Sequence, residues 1–353
     1  MTGALARSAA PAVRVLTIGR WIAVPVRRRA ILGCIAVALL ILITGFITLT
    51  AGRLGVPPAE LVGALFSPPS GKTGFVLERL RGPRLVTAIG VGAALGLAGT
   101  LFQTVTRNPL GSPDIIGLGA GAGAGVAIAT LLWPGMIPTP LGALLGGVAA
   151  IALVHVSTGR GFSSPARVVI AGIGVSAMAY AVTQYVVSVG LRDHSVQLAA
   201  YLAGSVSASD WGDVGVLAVT LAIVFPAAAL LSGRLRLIEM GDDLAESLGG
   251  RVDRTRTVAI VLAVIAAAGA VTAAGPISFV ALTAPQIARR VTGSPGANLV
   301  ASALFGALIL VVADLATQQI PWANGLPVGV LTAGVGGVYL GSLLVREWTK
   351  GRV

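Results

Sequence analysis

The chain has 353 residues, 55% of them hydrophobic and only 11% charged, with a mean hydropathy of +0.91 and a formal net charge of +12. Hydropathy this high excludes a soluble globular chain and a disordered one, and leaves a polytopic membrane protein. The basic excess does not mark nucleic-acid binding, because it sorts by side: with the N-terminus placed inside, nineteen of the 25 Lys and Arg residues fall in inside segments. That bias orients membrane chains, and it predicts an even number of spans with both termini in the cytoplasm.

Residues 1–30 read as a basic cytoplasmic tail. The apolar run after it is too long, and too deeply preceded by arginines, for an ordinary cleaved signal. Ten apolar segments follow, near 31–51, 85–105, 115–133, 139–157, 168–190, 214–232, 257–274, 276–288, 298–317 and 327–345. Most approach the roughly 20 residues that cross a bilayer as helix, and the eighth is short enough for a half-span. The predicted fold is all-α, with one membrane domain over 31–346 and a second short cytoplasmic tail at 347–353. The 48 glycines suit helices that press closely together. A single cysteine, Cys34, leaves no disulfide framework and no cysteine metal site.

The longest outside loop, 52–84, is broken by Pro57-Pro58 and Pro68-Pro69. This loop and the start of the second span hold Arg53, Lys72, Arg79, Arg81 and Arg84, five of the six outside cations. In Arg81-Gly82-Pro83-Arg84 a rigid proline holds two guanidinium groups at the mouth of a span. With Arg79 they suit docking of an acidic soluble protein, and the alternative is anchoring at the lipid headgroups. Gly71-Lys72-Thr73 resembles half a phosphate loop, but Phe66 stands where the leading glycine belongs. No complete nucleotide-binding motif occurs, so any ATP-driven work belongs to a partner.

The second span ends in Gln103 and then Arg107-Asn108-Pro109-Leu110-Gly111-Ser112-Pro113, an unusually specific turn between two apolar runs. Behind it, Gly117, Gly121 and Gly125 share one helical face, and Gly119 and Gly123 another. Close helix packing is the first reading, and a wall without side chains along a pore is the second. Asp114 at the edge of the third span follows Pro113 and is expected to cap a helix. Asp314 lies inside the ninth span, where a carboxylate is either paired or functional. The second outside loop, 191–213, contains Arg192, Asp193, His194, Asp210 and Asp213. His155 and His194 are isolated, which argues against a histidine metal site, and nothing resembles a catalytic triad.

The long inside loop, 233–256, predicts a short helix. Asp242 and Asp243 sit where they favour its N-terminal dipole, Met240, Leu244 and Leu248 recur every fourth residue, and Gly249-Gly250 supplies the stop. Such a helix seats in a groove of a cytoplasmic partner or lies on lipid. Phe279-Val280-Ala281-Leu282-Thr283-Ala284-Pro285-Gln286-Ile287-Ala288-Arg289-Arg290 is the last distinctive run.

With these residues together, the chain resembles the FecCD family of permeases, importers of ferric siderophores, haem and cobalamin. The resemblance covers roughly residues 30–346 and rests on Arg81, Pro83 and Arg84, on Gln103, on Asn108, Pro109, Leu110 and Pro113, on Ile116-Gly117, on Gly241 through Gly249, and on Pro327-Val328-Gly329-Val330. Departures are Ala281-Leu282-Thr283-Ala284-Pro285-Gln286, where the family usually has a histidine at the end, Gln318 in place of a common arginine, and Gly336-Gly337-Val338-Tyr339. These departures look like the second subunit of ferric enterobactin-type permeases.

The resemblance implies a permease subunit of an ATP-driven importer in a bacterial inner or plasma membrane. It implies a second, related FecCD-type permease that makes a heterodimer with this chain, two ATP-binding cassette subunits and a siderophore-binding protein outside. Arg79, Arg81 and Arg84 would meet the binding protein. Gly241, Asp242, Asp243, Leu244, Ala245, Glu246, Ser247, Leu248 and Gly249 would meet the ATPases. Gln103, Asn108, Pro109, Pro113, Pro285, Gln286 and Asp314 would belong to the translocation pathway or its frame. The chain itself would hold no cofactor or metal, ATP and Mg being the ATPases'. Import of cobalamin or haem is the rival within the class, and a proton-coupled carrier using Asp114 or Asp314 is the rival outside it.

Overall fold

The computed structural model describes residues 14–18, 22–26, 28–52, 54–64, 66–159, 165–189, 201–294 and 296–349. Arg192, Asp193 and His194 of the second expected outside loop lie outside the described residues. Every expected apolar segment carries a helix. In chain order these are α1 (Arg28–Thr50), short α2 (Pro58–Gly63) and α3 (Gly71–Phe75), α4 (Arg81–Thr106), α5 (Leu118–Ala127), α6 (Thr139–Ser157), α7 (Pro165–Val189), α8 (Trp211–Glu239), short α9 (Asp242–Ser247), α10 (Val252–Ala274), α11 (Val280–Thr292), α12 (Leu299–Gln319) and α13 (Val328–Thr349). Among the described residues, seven helices are long and apolar enough to cross a membrane, while α5 and the apolar part of α13 are shorter. The expected half-span is α11, at 13 residues.

One element departs from the all-helical expectation. Within the expected tail, β1 (Arg14–Ile18) and β2 (Ile22–Val26) pair antiparallel, with Leu16 opposite Val24.

The bundle is built around α4, which packs against α8, α10, α11 and α12. In its most apolar window 72% of residues are buried, against 22% for α1. Where α4 crosses α12 the backbones come too close for any side chain, and glycine solves this. A Cβ at Gly92 would lie 2.3 Å from the Gly306 carbonyl oxygen, and one at Gly306 would lie 2.0 Å from that of Gly92. By contrast α1 turns Leu39, Leu42 and Ile43 outward, an apolar face of the kind hydrocarbon covers. A second packed unit joins α5 to α6 and α7, and one buried cluster of Leu101, Phe102, Leu118, Val154 and Ile260 binds the two together.

Candidate functional site

The expected site residues gather at the two ends of the bundle. At the end that carries α9, the loop between α8 and α10 folds as its sequence dictates. Gly241 enters with φ 109° and Gly249 leaves with φ 80°, both backbone states that favour glycine. Asp242 and Asp243 occupy the first turn. Gly249 N–H donates to Glu246 O at 2.9 Å and Gly250 N–H to Ala245 O at 2.7 Å, which closes the helix. Ala245 is buried against the bundle, while Met240, Leu244 and Leu248 are 59%, 45% and 58% exposed. A stripe of large apolar side chains therefore faces away from the chain.

Asp242 fixes this helix to the bundle. Arg256 Nη2 of α10 donates to its Oδ2 at 2.9 Å and Oδ1 at 3.1 Å. Arg107 Nη2 lies 3.2 Å from Oδ1. Arg107 caps the C-terminus of α4 in a left-handed conformation, φ 50° and ψ 30°, which is uncommon outside glycine.

The adjoining turn is equally ordered. Asn108 Oδ1 accepts from Leu110 N–H at 2.9 Å. Pro109 O accepts from Gln286 Nε2 at 2.8 Å, and the same nitrogen donates to Gln103 Oε1 at 2.9 Å. Arg289 Nη2 also donates to Gln103 Oε1, and Gln103 Nε2 donates to Leu282 O at 3.0 Å. Gln103 is buried, so its amide needs all these partners. Four expected residues are thus gathered: Gln103, Asn108 and Pro109 with Gln286. Pro285, the preceding residue on α11, is buried within the helix, and Pro113 is buried at the start of a short 3₁₀ turn, Pro113–Ile116. Arg29 Nε donates to Val291 O at 2.9 Å and ties the far end of α11 to α1.

Deeper in the bundle is a cavity of about 450 Å³. Its walls include Gly119 and Gly123 of α5, Tyr180 and Gln184 of α7, and Pro276 and Ser278 ahead of α11. The glycine ladder divides between the two readings of the sequence. Gly121 and Gly125 pack on α6, where an added Cβ would lie 2.4 Å from Ala150 Cβ or 2.0 Å from Gly142 O, and Gly117 packs on Ser176 and Gly172 of α7. Gly119 and Gly123 border the cavity, yet an added Cβ would lie 3.2 Å from Pro276 Cβ at the first and 2.7 Å from Leu202 Cδ2 at the second, so they also pack on neighbouring side chains.

Asp114 also borders this cavity, and here the expected cap is corrected. Ser112 holds the N-cap position, its Oγ accepting from Asp114 N–H at 3.3 Å, and Asp114 is the second residue of the turn. Proline at the first position of the turn shifts the cap to the residue before it. Ser112 Oγ donates to Asp114 Oδ2 at 3.0 Å.

At the opposite end, the picture of two guanidinium groups held out at the entrance is corrected. Arg81 Nη1 donates to Thr48 O at 2.6 Å, Ala51 O at 2.7 Å and Leu49 O at 3.3 Å, closing the C-terminus of α1. Arg84 pairs with Asp314: Nη2 to Oδ1 is 2.7 Å, and Nε lies 2.9 and 3.1 Å from the two oxygens. Arg84 Nη2 also donates to Thr317 Oγ1 at 3.2 Å, and Gln318 Nε2 to Asp314 Oδ2 at 2.7 Å. Asp314 is therefore paired, and far from the Gln103 cluster. A helix end and a buried carboxylate claim these arginines because each offers oxygens that lack partners of their own. Arg79 is exposed.

Sequence reasoning missed the pairing of Arg107 and Arg256 with Asp242, and that of Arg289 with Gln103. The only signal was the density of arginine around residues 251–256 and 289–290.

Comparison with known proteins bears on the family and the fold. The model of the FecCD transport family matches residues 39–346. The ferric enterobactin transport system permease protein FepG of Escherichia coli (strain K12) is 37% identical over 92% of this chain and 99% of its own. The Fe(3+)-citrate import system permease protein YfmE of Bacillus subtilis (strain 168) is 33% identical over 92% of this chain and 98% of its own. A solved metal-chelate type ABC transporter in an inward-facing conformation superposes with a TM-score of 0.77 at 25% identity, covering 90% of this chain and 99% of that one. The chain belongs to the FecCD transport family.

Proposed function

We propose that this chain is the membrane-spanning permease subunit of an ATP-driven importer that carries a ferric siderophore across the bacterial inner or plasma membrane. The observation that carries the reading is the α9 surface: Leu244 and Leu248 exposed on a helix that Asp242 braces against Arg107 and Arg256. An apolar stripe on a rigid, acid-led helix suits the groove of a protein partner. It suits anionic lipid less well, because Asp242 and Asp243 repel it. The partners gripping residues 241–249 are two ATP-binding cassette subunits, which carry the ATP and Mg, so this chain transports without itself being an enzyme. The second permease is a related chain, making a heterodimer. An extracytoplasmic binding protein delivers the chelate at the end near Arg79, and both termini lie in the cytoplasm.

The substrate class follows from the names of relatives, which are permeases for ferric enterobactin and for Fe(3+)-citrate. The cavity bordered by Gly119, Gly123, Tyr180 and Gln184 forms part of the path along which the chelate passes. Iron travels inside its chelator, so the chain needs no ligands for it. A proton-coupled carrier built on Asp314 is disfavoured, since that carboxylate is held by Arg84 and Gln318 rather than open to a proton path.

The test is recovery of the tagged chain from iron-starved membranes with its neighbours, followed by uptake of labelled ferric siderophore. Co-recovery of a related permease and an ATPase, with uptake that requires ATP, is the expected result. A solitary chain that transports on a proton gradient alone would overturn it.

A further inference from the structure

Among the described residues, two that are not glycine have positive φ, Arg107 at 50° and Phe279 at 69°. Such conformations are strained and persist only where the surroundings impose them. They stand at the two ends of one continuous chain of contacts. Asp242 of α9 pairs with Arg107 at 3.2 Å. Two residues on, Pro109 O accepts from Gln286 Nε2 at 2.8 Å. Gln286 belongs to α11, whose first residues follow directly from Phe279. Immediately before Phe279, Pro276 and Ser278 form part of the cavity wall. Gly336 of α13 leaves the space that Phe279 fills, since a Cβ there would lie 2.2 Å from Phe279 Cβ.

The chain of contacts is also selective. Turn 107–110 touches α9 on one side and α11 on the other through polar groups, which have preferred lengths and directions. The bulk of α4 is locked to α12 by backbone-close glycines and offers little freedom. α11 is short, 13 residues, and is gripped at its middle by Gln103 and Pro109 through Gln286.

We propose that Arg107 and Gln286 are positioning residues that carry movement of α9 to the cavity wall, with Phe279 as the hinge of α11. This rests on the reading of α9 as the contact with the ATPases. A push on α9 shifts Asp242 and Arg107, the turn follows, and Gln286 transmits the shift to α11. The segment at Pro276 and Ser278 then opens or closes the cavity.

The test uses the complete importer, with its second permease, ATPases and binding protein, reconstituted in proteoliposomes. The quantity read is chelate taken up per ATP hydrolysed. Arg107→Gly removes the guanidinium while easing the left-handed backbone, so it separates signalling from folding. In Arg107→Gly and in Gln286→Ala that ratio is expected to fall by about fivefold or more, a typical size for coupling between sites. Arg107→Lys, which keeps the charge, should recover part of it. The double variant should be no worse than the poorer single one, because both act on one route.

A second readout covers variants that assemble poorly. With Cys34→Ala and Ser278→Cys, a fluorophore at 278 should change emission when nucleotide binds, and Arg107→Gly should abolish that change. Unaltered ratios, losses that multiply in the double variant, or an emission change that survives Arg107→Gly would each overturn the inference. Absence of ATP-driven uptake by the unsubstituted assembly would instead overturn the proposed function, so the two failures are separable.

Discussion

The two ends of the bundle use the same chemistry, arginine with aspartate, to opposite effect. At the Arg84 end, Asp314 is 2% exposed and its carboxylate accepts from two side chains, Arg84 and Gln318, and Arg84 is 21% exposed. At the α9 end, Asp242 is 36% exposed and is shared between Arg256, which is 6% exposed, and Arg107, which is 44% exposed. A buried pair with every oxygen satisfied is a strut, because parting it strands charges in a medium that cannot solvate them. A half-wet pair loses less when it parts, since water replaces the lost partner. The difference separates a fixed frame from a joint that can move.

The largest expected effect comes from the exposed face of that joint. Leu248→Arg should abolish ATP-driven uptake while the chain still inserts and folds, measured by uptake beside membrane content. Normal uptake would dismiss α9 as a contact surface. Next is the strut. Asp314→Ala leaves Arg84 unpaired and should cost about 3 kcal/mol or more of stability, read from thermal unfolding in detergent. Arg84→Met combined with Asp314→Leu should recover most of it, and no recovery would mean that the pair does more than brace. Asp242→Asn should change stability by only about 1 kcal/mol yet lower uptake per ATP hydrolysed. A stability loss as large as that of Asp314→Ala would erase the contrast between the ends.

The smallest effect is at the surface near the entrance. Lys72→Glu with Arg79→Glu should weaken binding-protein docking a few-fold at low salt, and the difference should fade as salt screens it. Docking that ignores both substitution and salt would remove charge from this contact. Arg81→Glu and Arg84→Glu would be poor probes, because each breaks a contact inside the chain.

The elements were legible because hydrocarbon imposes length and polarity on each one separately. The ten apolar segments, the half-length of α11 and the short helix at 242–247 could all be read from local pattern. So could the glycine exit of α9, since left-handed backbone selects residue type directly. Pairings between elements were not legible. Arg84 meets Asp314 across 230 positions and Gln286 meets Gln103 across 183. Neither spacing leaves a trace in periodicity, because it depends on how two packed helices are turned. Arg81 misled for a related reason: an arginine after a loop looks the same whether it faces water or closes a neighbouring helix. The glycine ladder was half legible. Its two faces could be separated by spacing, but which one met helices and which also bordered the cavity depended on α6 and α7.

The most direct test of the account is uptake of labelled ferric siderophore by proteoliposomes that contain the assembled importer, with either this chain or its Leu248→Arg variant. ATP inside and binding protein outside should drive uptake with the first chain and none with the second, and a proton gradient should substitute for neither. Uptake driven by the gradient alone, equal for both chains, would contradict the assignment of α9 and of ATP as the source of the work.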